Sequence, residues 1–358
     1  MLIINHPPGY FHGNVLELVD DLKLIRPTGF PSVPRLYNRF AGSIKAATTE
    51  ASGFKGALSR HIVATKLENF KDPDSPNATN KHTLYDAIWA KKVKASLGLD
   101  RAAFMVSGSA PIDPNVHQFL RAVFGNHFYQ GYGLTETYAV ALYQLLGDLA
   151  PATCGAVAPC VEICLADVPD MEYLSTDRPR PRGELLIRGP SVFTEYYRNP
   201  EETAKAFTED GWFRSGDIAS IDHLGRVSII DRRKNVLKLA QGEYISPERI
   251  ENIYLGSLSW LAAAYVHGEG SQSFLVMIGA VNPELFAPFA SKVLGKEIGA
   301  TDYAAIKAAA ESEKVRTAAQ KELEKVGRRS KFNPYERVRK VVLMLEPFTI
   351  ENELLTPT

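Results

Sequence analysis

Between residues 102 and 131 the spacing of apolar and polar positions changes twice. An apolar run at 102–106 predicts a short strand, and Ser107-Gly108-Ser109-Ala110-Pro111 predicts a turn. Val116, Phe119, Leu120, Val123 and Phe124 then recur at i, i+3, i+4, i+7 and i+8, the stripe of a helix lying on a sheet, with Asp113 at its N-cap and Pro114 at its first position. Strand character returns at 127–129. A strand–turn–helix–strand unit argues for an open α/β sheet, whose ligands sit beyond the carboxyl ends of the strands, where 107–111 and 130–136 would be neighbours.

Upstream, 16–24 has helical spacing, and prolines at 27, 31 and 34 predict an extended stretch. Residues 44–99 read as polar and mostly helical around one loop, 71–80, made almost wholly of turn formers. His61 and His82 have no partners there at metal-ligand spacing and are assigned no role. Downstream, apolar runs at 184–187 and 227–230 predict strands bracketing a turn-rich segment, and 195–207 reads as a helix after a turn that serves as scaffold. Ser246 caps a helix with Pro247 at its first position and Ile250, Ile253 and Tyr254 on its apolar side. Strands at 262–266, 274–281 and 338–345, with one charged helix at about 302–326, predict a small α+β unit.

The chain has 358 residues, long enough for two domains or one large one, with an ordinary 45% hydrophobic and 23% charged composition. Its 41 basic and 41 acidic residues cancel, so no whole-molecule field draws it to nucleic acid or to an acidic membrane, and nucleic acid is not expected as a partner. The three cysteines, Cys154, Cys160 and Cys164, are spaced too irregularly for a Cys-x-x-Cys metal site and suit a reducing compartment. No apolar run approaches the roughly 18 residues of a membrane span. The first eight residues lack the basic flank and apolar core of a secretory signal and read as the interior of a longer protein.

Two clusters carry candidate chemistry. In Gln130-Gly131-Tyr132-Gly133-Leu134-Thr135-Glu136-Thr137, glycines permit close backbone approach, Tyr132 offers a stacking face, Thr135 a hydroxyl and Glu136 a hard oxygen ligand for magnesium. Asp217, after Ser215-Gly216, can accept hydrogen bonds from both vicinal hydroxyls of a ribose, held by a small-residue turn at the open end of a strand. Arg232, Arg233, Lys234 and Lys238 bring cations suited to a phosphate or a carboxylate. Alone, that run is a solvated basic turn and Asp217 a turn aspartate; their pairing favours a site.

These runs resemble the adenylate-forming acyl-CoA synthetases. The resemblance implies that the segment like Tyr132-Gly133-Leu134-Thr135-Glu136, with Gly131 before it, binds adenine and the α-phosphate, with Thr135 and Glu136 catalytic and Glu136 on magnesium. The loop with Gly108, Ser109 and Ala110 matches the adenine side. By the same match Asp217 holds the ribose, Arg232 makes a second nucleotide contact, and Lys234 is the interdomain hinge. Lys238, carried over as catalytic, and Gly242, on the coenzyme A side, belong to the part that swings in for thioester formation. The runs 27–39 and 168–173 are similar to the long-chain fatty acyl branch.

The implied fold is α/β: residues 1–233 form the later part of a large adenylation domain, with mixed sheets and helices, and 234–358 a mobile, small α+β domain, incomplete at its end. The implied reaction joins a fatty acid, ATP and coenzyme A through an acyl-adenylate. Two expectations temper it: the Ser/Thr/Gly loop that grips the outer phosphates, and a late lysine of the adenylation step, find no equivalent in the sequence, as in a truncated chain. A non-catalytic AMP- or acyl-binding relative, or a ligase for aryl acids, luciferin or amino acids, are the alternatives. The resemblance implies an intracellular location at the endoplasmic reticulum or peroxisome surface, otherwise the cytoplasm, with membrane association peripheral.

Overall fold

The computed structural model is described for residues 9–10, 12–13, 17–233, 235–240, 243–346, 348, 352 and 354, and the side chain of Lys238 lies outside the description. The first part of the chain runs α1 (Leu18–Ile25), β1 (Gly29–Ser32), α2 (Pro34–Ala47), α3 (Gly53–Glu68), α4 (Thr83–Tyr85), a wide helical turn at Asp86–Ala90, α5 (Lys91–Ser96), β2 (Phe104–Ser107), α6 (Pro114–Phe124), β3 (His127–Tyr132), β4 (Leu142–Tyr143) and β5 (Ala156–Val157). Strands β1, β2 and β3 are parallel, with Ser32 opposite Ser107 and Ser107 opposite Gln130, and β4 and β5 extend the sheet antiparallel. The carboxyl ends of three parallel strands therefore lie side by side, as the α/β reading requires.

Helix α6 forms as its sequence dictates. The Asp113 carboxylate accepts from the amides of Asn115 and Val116, and Gly125, at φ +60°, ends the helix. Its stripe buries Val116, Leu120, Val123 and Phe124 against Tyr37, Met105 and Phe128. One expectation fails here. Pro34 does not prolong an extended stretch: it starts α2, because proline's missing N–H is no loss in a first helical turn.

The second sheet is antiparallel: β6 (Glu162–Ala166), β7 (Arg182–Arg188), β8 (Phe213–Ile221) and β9 (Val227–Arg232), with α7 (Pro200–Ala206) between β7 and β8. The segment expected as a turn around Asp217 is instead the nine-residue strand β8. Ser215-Gly216-Asp217 lies at a bulge, with register shifts between Glu184 and Leu186 on one side and Ile218 and Ala219 on the other, and Gly216 sits at φ +73°.

The remaining chain comprises β10 (Leu237–Lys238), β11 (Tyr244–Ile245), α8 (Pro247–Ser257), β12 (Leu261–His267), β13 (Leu275–Val281), α9 (Pro283–Leu294), α10 (Tyr303–Glu311), α11 (Glu313–Arg329) and β14 (Val338–Met344). Strand β13 pairs antiparallel with β12 and parallel with β14, over a core including Tyr254, Leu275, Phe286 and Leu323. The charged helix expected in one piece is two, α10 and α11, meeting at Ser312 in extended backbone. Ser246 occupies the N-cap of α8 but its side chain bonds no helix amide. Among the described residues no helix is long and apolar enough to cross a membrane.

Candidate functional site

Tyr132 closes β3, and its hydroxyl donates to Asp217 Oδ2 at 2.6 Å, joining the first sheet to the second. Asp217 faces Arg232 across the β8–β9 ladder, and Arg232 Nε lies 3.3 Å from Asp217 Oδ1. The bulge aims this carboxylate inward: Ser215 Oγ donates to Leu185 O at 2.6 Å and accepts from the Asp217 amide at 3.1 Å. Only 4% of Asp217 is exposed. Burial raises its pKa, opposed by the Tyr132 hydroxyl and the Arg232 charge. Burial, and then the Asp217 charge, push the Tyr132 phenol far up.

Gly108 and Gly131 are neighbours at the strand ends: a Cβ on Gly108 would lie in ordinary contact, 3.9 Å from Gly131 O. Ser109, at φ +68°, and Ala110 are exposed beside them. Gly133 admits no side chain, since a Cβ there would fall 1.7 Å from Ala139 O. Thr135–Thr137 then makes a single turn in which Thr137 Oγ1 accepts from the Leu134 amide. Thr135 is exposed and Glu136 half-buried. The Glu136 carboxylate accepts a 2.8 Å hydrogen bond from Tyr196, whose hydroxyl is pushed up to about 12 by burial and by that carboxylate.

The structure thus brings Tyr132, Asp217 and Arg232 into one chain of contacts, with Gly108 and Gly131 at its edge. Glu136 follows Tyr132 by one short turn and is tied to Tyr196, which the sequence reading placed in scaffold. Of the four cations, the two whose side chains are described, Arg232 and Arg233, do not face one ligand. Arg232 also lies 3.3 Å from Glu248 Oε1 on α8, while Arg233 is 3.4 Å from Glu184 and 3.8 Å from Asp170. Opposite charges on the neighbouring elements divide them. Lys234 and Gly242 lie outside the described residues, as does the Lys238 side chain, although Lys238 pairs with Tyr244 through its backbone. Glu248 was also missed: an acidic residue in a first helical turn looks like a helix-dipole partner and no more.

No group of three or more metal-binding side chains occurs among the described residues. Glu136, with one oxygen engaged by Tyr196 and the Thr135 hydroxyl nearby in sequence, would suit a cation that takes most of its ligands from phosphate and water. That is how magnesium binds beside nucleotides.

Parallel strand ends that meet a second sheet carrying the buried Asp217 and its half-exposed partner Arg232 fit an adenylation domain. The likeness to solved structures agrees. The A domain of carboxylic acid reductase from Segniliparus rugosus, in complex with AMP and a co-purified carboxylic acid, is 30% identical with a TM-score of 0.67, over 94% of this chain and 44% of that one. The corresponding domain from Mycobacterium chelonae is 29% identical with a TM-score of 0.70, over 95% and 45%. The family described as AMP-binding enzyme matches residues 7–197, and the chain belongs to it. A Penicillium roqueforti protein, acyl-CoA ligase 891, peroxisomal, is 62% identical over 98% of this chain and 50% of its own length. Long chain acyl-CoA synthetase 6, peroxisomal, from Arabidopsis thaliana is 39% identical over 98% and 48%. The chain spans about half the length of these curated relatives.

Proposed function

We propose that this chain is part of a long-chain fatty acid–CoA ligase and carries its nucleotide site. The supporting observation is the Tyr132–Asp217–Arg232 chain of contacts, which gathers an aromatic face, a carboxylate and a guanidinium where parallel strands end. Relatives named for long-chain acyl and long-chain fatty acid substrates, at 39% and 38% identity against 30% for the carboxylic acid reductase domain, favour a fatty acyl substrate over another acid.

In this reading the Tyr132 ring and the Gly108–Ala110 loop enclose adenine, with Gly131 and Gly133 leaving room for it. Asp217 accepts from the ribose hydroxyls and Arg232 offsets the carboxylate's charge. A fatty acid carboxylate oxygen attacks the α-phosphorus of ATP and pyrophosphate leaves. The thiol of coenzyme A then attacks the acyl carbon, AMP leaves and the thiol proton passes to solvent. Thr135 and Glu136 stand at the phosphate end, where magnesium, when bound, would neutralise charge on the leaving group. Residues 1–233 and 234–358 would turn about Lys234 between the two steps, exchanging the adenylation face for one carrying Lys238 and Gly242. Contact with a membrane would be peripheral. A peroxisomal location is favoured by the names of the relatives, with the endoplasmic reticulum surface second.

Calorimetric titration of the purified chain with AMP tests the site. Binding is expected, and Asp217→Asn, which swaps two acceptors for one and a donor, weakens it at least about ten-fold. Equal affinity in the two proteins refutes the assignment. Turnover of ATP, oleate and coenzyme A would exclude a relative that binds AMP without catalysis.

A further inference from the structure

We infer that Tyr196 is a positioning residue for Glu136, holding one carboxylate oxygen so that the other is presented to a divalent cation on the bound nucleotide. The inference rests on the nucleotide-site reading above and adds a residue that the sequence assigned to scaffold. Tyr196 Oη donates to Glu136 Oε1 at 2.8 Å. A carboxylate has two oxygens, and occupying one with a fixed donor restricts the rotation of the whole group.

The backbone is held from the same strand of chain. The Phe193 amide donates to Glu136 O at 2.8 Å, so residues 193–196 grip the glutamate at its main chain and its side chain together. That strap is itself anchored. The Tyr196 amide donates to Thr203 Oγ1 at 3.0 Å, in the middle of the helix that follows. Phe193 packs against Tyr196 (4.7 Å between ring centroids), Phe207 (5.3 Å) and Phe213 (5.5 Å). Phe213 opens β8, the strand carrying Asp217. One aromatic cluster therefore fixes the carboxylate proposed for the phosphate end relative to the one proposed for the ribose end.

Tyr196→Phe removes only the hydroxyl and keeps the ring packed at a tilt against Phe193. On the wild type, Mn²⁺ is titrated by electron paramagnetic resonance in the presence of ATP, and AMP affinity is measured separately in EDTA. Tyr196→Phe is expected to weaken Mn²⁺ by about ten-fold, in keeping with the loss of an outer-shell partner, while metal-free AMP affinity and the melting temperature stay as they were. Glu136→Gln is expected to weaken Mn²⁺ as well, and Tyr196→Phe added to it to change nothing more, because the two act as one unit. Unchanged Mn²⁺ affinity in Tyr196→Phe, additive losses in the double variant, or Mn²⁺ binding indifferent to Glu136→Gln each overturn the inference while leaving the nucleotide site standing. Failure of the wild type to bind AMP in EDTA overturns the nucleotide reading, and this inference with it.

Discussion

Asp217 is a carboxylate whose two oxygens both meet donors of the protein itself, Tyr132 on one side and Arg232 on the other. A ribose must therefore share those donors or displace one. Burial works against the charged form that a ribose needs, and the Tyr132 hydroxyl does most to restore it, ahead of Arg232. With a raised pKa, Asp217 is ionised only above that value, so AMP affinity is expected to fall as pH drops through it. Tyr132→Phe removes a donor to the ion, raises the pKa further and shifts the fall to higher pH. AMP titrations carried down in pH until the wild-type affinity falls check this, and superimposable profiles for wild type and variant would sink it. The ring and the carboxylate were each legible in the sequence, because glycine-flanked tyrosine and Ser-Gly-Asp are local patterns. Their hydrogen bond was not, since 85 residues separate them. Tyr196 escaped for a related reason: a tyrosine just ahead of a short helix reads as packing until its hydroxyl is seen on Glu136.

Among the elements, α6 was readable almost to the residue because cap, first-position proline and apolar stripe all agree. Strand β8 was hidden because Gly216 and Ser215 look like turn formers when they in fact build a bulge, and the gap between α10 and α11 was hidden because a serine among helix formers gives no stop signal. A buried cation on α6 also eluded the helical pattern. Arg121 is fully buried, its pKa pushed down to about 10 by burial, and its guanidinium bonds to the carbonyls of Phe128, Asp148, Leu149 and Ala150. It also donates at 2.7 Å to Gln144 Oε1, which accepts from the Gln130 amide in β3 at 3.0 Å. Arg121 thus fastens the helix, the parallel sheet and the 144–150 loop below Tyr132. Arg121→Leu leaves several buried acceptors without a donor and is expected to cost at least about 3 kcal/mol, read as a lowered urea midpoint. A variant within about 0.5 kcal/mol of wild type would show that water replaces the guanidinium there.

At the scale of the whole molecule, Arg232 is where the second sheet meets the C-terminal unit. Its guanidinium is divided between Asp217, on β8, and Glu248, in the first turn of α8, which also accepts from Asn235 Nδ2 at 2.6 Å. Glu248 therefore acts in two ways. It holds α8 against the end of β9, and its negative charge raises the pKa of Asp217. If 234–358 turns as proposed, this contact must break on the way to the second orientation, and Arg232 would then be left to Asp217 and the nucleotide. Replacing the charge isolates that effect without moving the chain: Glu248→Gln keeps an acceptor for Asn235 but releases the competing charge on Arg232. Because Arg232 is about 40% exposed, the gain is that of a partly screened pair, roughly 0.5–1 kcal/mol, which corresponds to AMP binding about 2–5-fold tighter. The gain should shrink as salt is raised from 50 to 500 mM, since the term removed is electrostatic. Affinity that is unchanged, or weaker, in Glu248→Gln at low salt would mean that Glu248 supports the nucleotide site rather than competing with it, and the two-sided role of Arg232 would have to be given up.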